Sequence, residues 1–78
     1  MDDEQLAMRC RDAMYSKDDA VRALGIEVTV GTPGTAEASM QVGAEMVNGH
    51  DVCHGGYLFL LADTAFAYAC NSYNFIFF

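Results

Sequence analysis

The run from His54 to Cys70 constrains this chain more than any other stretch. It opens His54-Gly55-Gly56 and continues almost entirely in apolar side chains. Glycines at that point permit a tight turn and leave backbone N–H groups uncovered. A helix starting there has N–H groups without internal partners and a dipole that favours negative charge, so the turn is a place to hold an oxyanion. A helix apolar on nearly all sides is expected to be buried on most of its circumference. Asp63 is the one ionisable carboxylate in the run, about two helical turns beyond the glycine pair. A carboxylate on a buried helix needs a reason.

Something must wrap that rod, and a sheet is legible upstream. Ile26, Val28 and Val30 alternate with Glu27 and Thr29. Ala36, Ala38, Met40 and Val42 alternate with Glu37, Ser39 and Gln41. A period of two gives each strand one apolar face and one wet face. Between them, Gly31-Thr32-Pro33-Gly34-Thr35 is turn chemistry, so the pair reads as an antiparallel hairpin.

The N-terminal third reads as helix. Asp2-Asp3-Glu4 suits a helix start, and Leu6, Cys10, Ala13 and Met14 follow at helical spacing to about Tyr15. Ser16-Lys17-Asp18-Asp19 is a break and a new cap. A short helix, Ala20 to Leu24, ends at Gly25. Arg9, Arg11, Lys17 and Arg22 read as a solvated face, with contact to a ligand phosphate as the functional alternative.

Gly43 to Val47 leads off the hairpin, and Asn48 to His54 is a loop. Asn71-Ser72-Tyr73-Asn74 stops the long helix, and Phe75-Ile76-Phe77-Phe78 could begin another strand. The class is α+β, in a single partial domain over residues 1–78. Two strands cannot cover a helix apolar nearly all round, so the sequence describes about half of a helix-on-sheet domain.

Composition narrows the function. With 78 residues there is room for one small domain, and a 53% hydrophobic content points to association with other chains or to a missing remainder. A net charge of -7, with no basic stripe, argues against nucleic acid and anionic membrane surfaces as partners. The acidic N-terminus lacks an apolar signal segment, and three cysteines without a CxxC pair fit reduced thiols, so a cytoplasmic setting is expected. The apolar run is short for a membrane span and carries Asp63 at its centre.

Several residues carry competing readings. His50, Asp51, Cys53 and His54 include good zinc ligand types, but no second cluster completes the set and ligands this close in sequence rarely converge; no metal is expected. A Cys53–His54 nucleophile pair fails because adjacent side chains diverge. Cys53 reads as an inert thiol. Phe59, Phe66, Tyr57 and Tyr68 read first as core, and second as walls of an aryl-acyl pocket.

Taken together, Asn48, His54-Gly55-Gly56 and Asp63-Thr64 within an apolar helix resemble the hotdog-fold acyl-CoA thioesterases, in particular the phenylacetyl-CoA thioesterase (PaaI-like) group. The resemblance runs from Met1 to Asn74. It implies an antiparallel sheet wrapped around a long central helix, with further strands after that helix, so the chain is expected to be truncated at its C-terminus. It also implies hydrolysis of acyl-CoA thioesters, with phenylacetyl-CoA or a related aryl-acyl-CoA as substrate. On that basis the N–H of Gly55 or Gly56, or both, would polarise the thioester carbonyl. Asp63 would act as general base on a water or as nucleophile. Asn48 would orient the water or carbonyl, and His54 would steady the loop and the thioester. Thr64 would be a second polar group near the water. Coenzyme A would be substrate and not cofactor, and the site would form between subunits of a homodimer or homotetramer. The alternative is a catalytically inactive hotdog fragment serving only as an oligomerisation or interaction module.

Overall fold

The computed structural model describes residues 2–73. The elements run α1 (Asp3–Tyr15), α2 (Asp19–Ala23), β1 (Glu27–Val30), β2 (Ala36–Ser39), a 3-10 turn (Ala44–Met46) and α3 (Gly55–Asn71). The strand considered for Phe75–Phe78 lies outside the described residues.

α1 begins where its acidic start predicts, on a capping box. Asp2 Oδ1 accepts the Gln5 amide at 2.8 Å, and Gln5 Oε1 accepts the Asp2 amide at 3.0 Å. Its inner face holds fully buried Ala7, where the apolar spacing had pointed to Ala13. α2 ends as expected at Gly25, whose φ of 70° closes the helix. Asp18, the residue before α2, makes no cap bond with its side chain. Its carboxylate instead accepts the Tyr68 hydroxyl from α3 at 3.0 Å. Burial first, and that bond second, hold the Tyr68 phenol well above its ordinary range.

β1 and β2 form an antiparallel pair in which Val28 faces Ala38 and Val30 faces Ala36. The expected hairpin is present, but β2 stops at Ser39 where the alternation ran on to Val42. Continuing the register would pair Met40 with Ile26 and bring the next pair to Gly25, whose φ of 70° is not strand backbone. On the other edge of β1 the Ile26 amide is bonded to the Val21 carbonyl at 3.0 Å, and the Ile26 carbonyl accepts the Tyr15 hydroxyl at 2.8 Å. Two residues further along that edge, the Val28 carbonyl accepts Arg11 Nε at 3.0 Å. Arg11 and Tyr15 are one helical turn apart, with the guanidinium 4.1 Å from the ring centre. α1 thus clips the free edge of β1 and satisfies carbonyls that would otherwise invite another strand. Arg11 is therefore part of the frame and not merely a solvated charge.

Val21, Ile26, Val28 and Tyr68 make the buried core, with Leu60, Leu61, Ala36, Ala38 and Met40 packed around it. The small alanines of β2 let α3 lie close against the hairpin. Asn71 Nδ2 donates to the Cys10 carbonyl at 3.2 Å, and Ser72 Oγ accepts the Gly34 amide at 2.7 Å, tying the end of α3 to α1 and to the hairpin turn.

α3 is not buried round most of its circumference, contrary to the expectation from its composition. Thr64, Tyr68 and Asn71 are buried, while Leu58, Phe59 and Phe66 are 52, 74 and 70% exposed. Two strands cover one face of a helix and no more. Phe59 and Phe66, expected in a core, lie outside the core of this chain. Among the described residues no helix is long and apolar enough to cross a membrane.

Candidate active site

The site begins at a loop held at both ends. Val47 and Cys53 form an isolated antiparallel bridge, and the His54 amide donates to the carbonyl of buried Met46 at 2.7 Å. Inside the loop, Asn48 Oδ1 accepts the amides of His50 and Val52 at 2.8 and 3.3 Å. This is an Asx turn, and Asn-Gly-His-Asp is a sequence in which such a turn can be foreseen. Asp51 stands at φ 68°, left-handed backbone that Asp accepts better than most residues.

α3 then starts, with His54 as its N-cap. Nδ1 of the imidazole accepts the Gly56 amide at 2.9 Å. An acceptor at Nδ1 fixes the tautomer with the proton on Nε2. The amide of Tyr57 goes to the His54 carbonyl at 3.0 Å. The Gly55 amide has no protein acceptor among the described residues. The glycine pair is thereby split into a capped amide at Gly56 and an uncovered one at Gly55.

The two glycines also differ in space. A Cβ on Gly56 would meet His54 Nδ1 at 3.2 Å, a tight contact that the imidazole would have to relieve by moving a few tenths of an ångström. A Cβ on Gly55 would meet nothing within 4 Å, and Gly55 does not have a positive φ. Nothing among the described residues calls for glycine at 55. A group approaching from outside would.

Asp63 is exposed on α3. Phe59 and Phe66 flank it at i−4 and i+3, on the same stripe. At ~1.5 Å rise per residue, Asp63 is about 12 Å along the axis from Gly55. A single carbonyl cannot touch both within one chain. Thr64, the next residue, is buried and its hydroxyl donates to the Leu60 carbonyl at 2.7 Å. Cys53 is half-buried with its thiol directed at the His54 carbonyl, 3.7 Å away. Among the described residues no three His, Cys, Asp or Glu side chains are gathered as metal ligands.

The structure therefore brings Asn48, His54, Gly55 and Gly56 into one turn and leaves Asp63 apart from them. Open clefts border the hairpin turn near Thr32 and Glu37 and the α1–β1 groove near Met8 and Arg11; neither touches Asp63 or the glycine turn. Sequence reasoning did not find the bond from His54 Nδ1 to Gly56, although a polar side chain at the residue before a helix is the usual sign of a cap.

No protein-family model matches the chain. It is 58% identical over 60 residues to the acyl-coenzyme A thioesterase PaaI of Escherichia coli strain K12, a match covering 77% of this chain and 43% of that protein. It is 41% identical over 70 residues to a putative esterase of Archaeoglobus fulgidus, covering 90% of this chain and 46% of the relative. The solved structure of the E. coli PaaI protein from the phenylacetic acid degradation operon superposes with a TM-score of 0.85 at 52% identity, over 88% of this chain and 50% of that one. The chain thus spans about half the length of the relatives it matches. Its helices, hairpin and long helix are part of a hotdog fold, an antiparallel sheet laid over a central helix. In sequence and in fold, the chain belongs with the PaaI-like group of hotdog-fold acyl-CoA thioesterases.

Proposed function

We propose that this chain supplies the two halves of an acyl-CoA thioesterase site, each completed by another copy. The observation that carries this reading is the uncovered Gly55 amide at the mouth of α3, with an exposed carboxylate on the same helix but about 12 Å out of its reach. In an oligomer, Asp63 of one subunit faces the glycine turn of the next. The names of the relatives support hydrolase chemistry, and this favours a catalytic role over a bare interaction module.

The thioester carbonyl accepts a hydrogen bond from the Gly55 amide. As water adds to the carbonyl carbon, charge grows on that oxygen, where the amide and the helix dipole stabilise it. One such donor typically accounts for ~3 kcal/mol of barrier. Asp63 takes the proton of the attacking water as general base. In the alternative route its carboxylate attacks the carbon itself, and water then hydrolyses the mixed anhydride. Either way the C–S bond breaks, the coenzyme A thiolate leaves and is protonated, and the free acid is released. His54, its Nδ1 committed to Gly56, holds the turn and presents Nε2–H outward to the thioester. Asn48 and Thr64 complete the polar set around the glycine turn and Asp63.

The substrate we favour is phenylacetyl-CoA or a related aryl-acyl-CoA. Phe59 and Phe66 beside Asp63 give a flat aromatic group surfaces to stack on. The operon of the similar E. coli protein agrees with that choice. A cytoplasmic homodimer or homotetramer is the setting we assign. The test is hydrolysis of phenylacetyl-CoA followed by released thiol, comparing this chain with Asp63→Asn. Equal rates would remove Asp63 from the mechanism.

A further inference from the structure

We infer that Met46 is a positioning residue of this site: its buried side chain anchors the loop that aims the Gly55 amide. This deepens the thioesterase reading and rests on it. Among the described residues, Met46 is the only fully buried one between Val28 and Thr64. Every residue from Val47 to Gly56 is exposed or half-buried, so the loop sinks no side chain of its own into the fold. The Val47–Cys53 bridge and the bond from the Asn48 amide to the Val52 carbonyl join the loop to itself. At the far end, the His54 amide donates to the Met46 carbonyl at 2.7 Å. Both ends of the loop therefore meet on one residue. Met46 closes the 3-10 turn Ala44–Met46, its amide donating to the Gly43 carbonyl at 3.0 Å. A turn of three residues with 3-10 bonds holds itself weakly, and the packed side chain fixes it to the body. The Gly55 N–H belongs to the peptide next after the His54 amide. Emptying the space of the Met46 side chain frees that turn, and with it the peptide. A misplacement of about 1 Å costs on the order of 100-fold in rate.

Two core truncations separate aiming from stability. Met46→Ala empties the anchor. Val21→Ala empties a core position that packs with Tyr68, about 20 Å along α3 from Gly55. Met46→Leu keeps the volume. The experiment measures kcat and KM for acyl-CoA thioester hydrolysis by the assembled chain, the urea midpoint, and the Gly55 amide resonance by NMR. The anchor predicts that Met46→Ala lowers kcat by on the order of 10- to 100-fold with KM little changed, and displaces the Gly55 resonance. It predicts that Val21→Ala lowers the urea midpoint but leaves kcat and the Gly55 resonance near wild type. Met46→Leu keeps both near wild type as well. A folded Met46→Ala variant with wild-type kcat and an unmoved Gly55 resonance would overturn the inference. So would a Val21→Ala variant that loses as much kcat as Met46→Ala. Should Met46→Ala fail to fold, Met46→Val leaves a smaller cavity and is judged by the same readings. A wild-type protein without hydrolase activity would sink the thioesterase reading by itself. The Gly55 resonance, displaced by Met46→Ala and unmoved by Val21→Ala, would still uphold the anchor.

Discussion

His54 caps Gly56: the imidazole Nδ1 accepts that amide at 2.9 Å and leaves its neighbour, the Gly55 amide, without a partner among the described residues. Two adjacent glycines therefore do different work, and substitution separates them. Gly56→Ala puts a methyl group 3.2 Å from Nδ1, so the exposed imidazole has to give by a few tenths of an ångström and its cap bond is strained. We expect a loss of up to about 1 kcal/mol of stability, the worth of a helix cap. Gly55→Ala meets open space and keeps its stability or gains up to ~1 kcal/mol, while a methyl beside the reactive amide lowers hydrolysis sharply. Denaturant midpoints and thiol release, measured on both variants, check the contrast. An active Gly55→Ala would mean that nothing approaches that carbon.

Asp63 is exposed and has no side-chain partner among the described residues. Asp63→Asn should leave stability within ~0.5 kcal/mol of wild type and reduce hydrolysis by about 100- to 10,000-fold, the range of a general base. A single turnover in ¹⁸O water, with enzyme in excess, separates the two routes. Label entering the Asp63 carboxylate identifies it as nucleophile; label confined to the acid product fits the base route and an anhydride opened at its acyl carbon, and trapping of the anhydride with hydroxylamine tells those two apart.

Phe59 and Phe66 are the most exposed large apolar side chains of the described surface. Phe66→Ser should change the stability of a lone chain little, because it removes few contacts there. It should weaken self-association and raise KM for aryl-acyl substrates more than for short aliphatic ones. Sedimentation at several concentrations reads the first effect and steady-state kinetics the second. An unchanged sedimentation profile would place the intersubunit contact elsewhere.

Tyr68 keeps its proton in the folded chain because burial, and then the Asp18 carboxylate, oppose a phenolate. The folded phenol ionises above the unfolded value of about 10. Between the two values the folded state holds a proton that the unfolded state has lost, so stability is complete below about pH 10 and falls as pH rises beyond it. Tyr68→Phe should cost about 1–2 kcal/mol at neutral pH, by leaving Asp18 without its donor, and should flatten the alkaline fall. Urea titrations at about pH 8 and about pH 11 on both proteins test the sign.

Much of this was readable from side chains in order. Acidic residues and a helical apolar period set α1, a glycine in left-handed backbone ended α2, and strict alternation around a Pro-Gly turn set the hairpin. These are local facts, decided by neighbours within a few residues; the glycine turn and Asp63 stood out in the same way, while the roles of Asn48, His54 and Thr64 came from the resemblance to the hotdog-fold thioesterases. Tertiary structure decided what local pattern cannot carry. α1 and α2 claim the free edge of β1, where Val21 and Tyr15 bind the backbone of Ile26. Asp18 gives up capping α2 to receive Tyr68, fifty residues away in sequence. Only one face of α3 is covered, since the hairpin is too narrow to enclose a helix. Which of two glycine amides stays open was settled by the rotamer of His54. A sequence states which groups need partners; the folded chain settles who provides them, because each donor and acceptor can be used by whichever group arrives within about 3 Å.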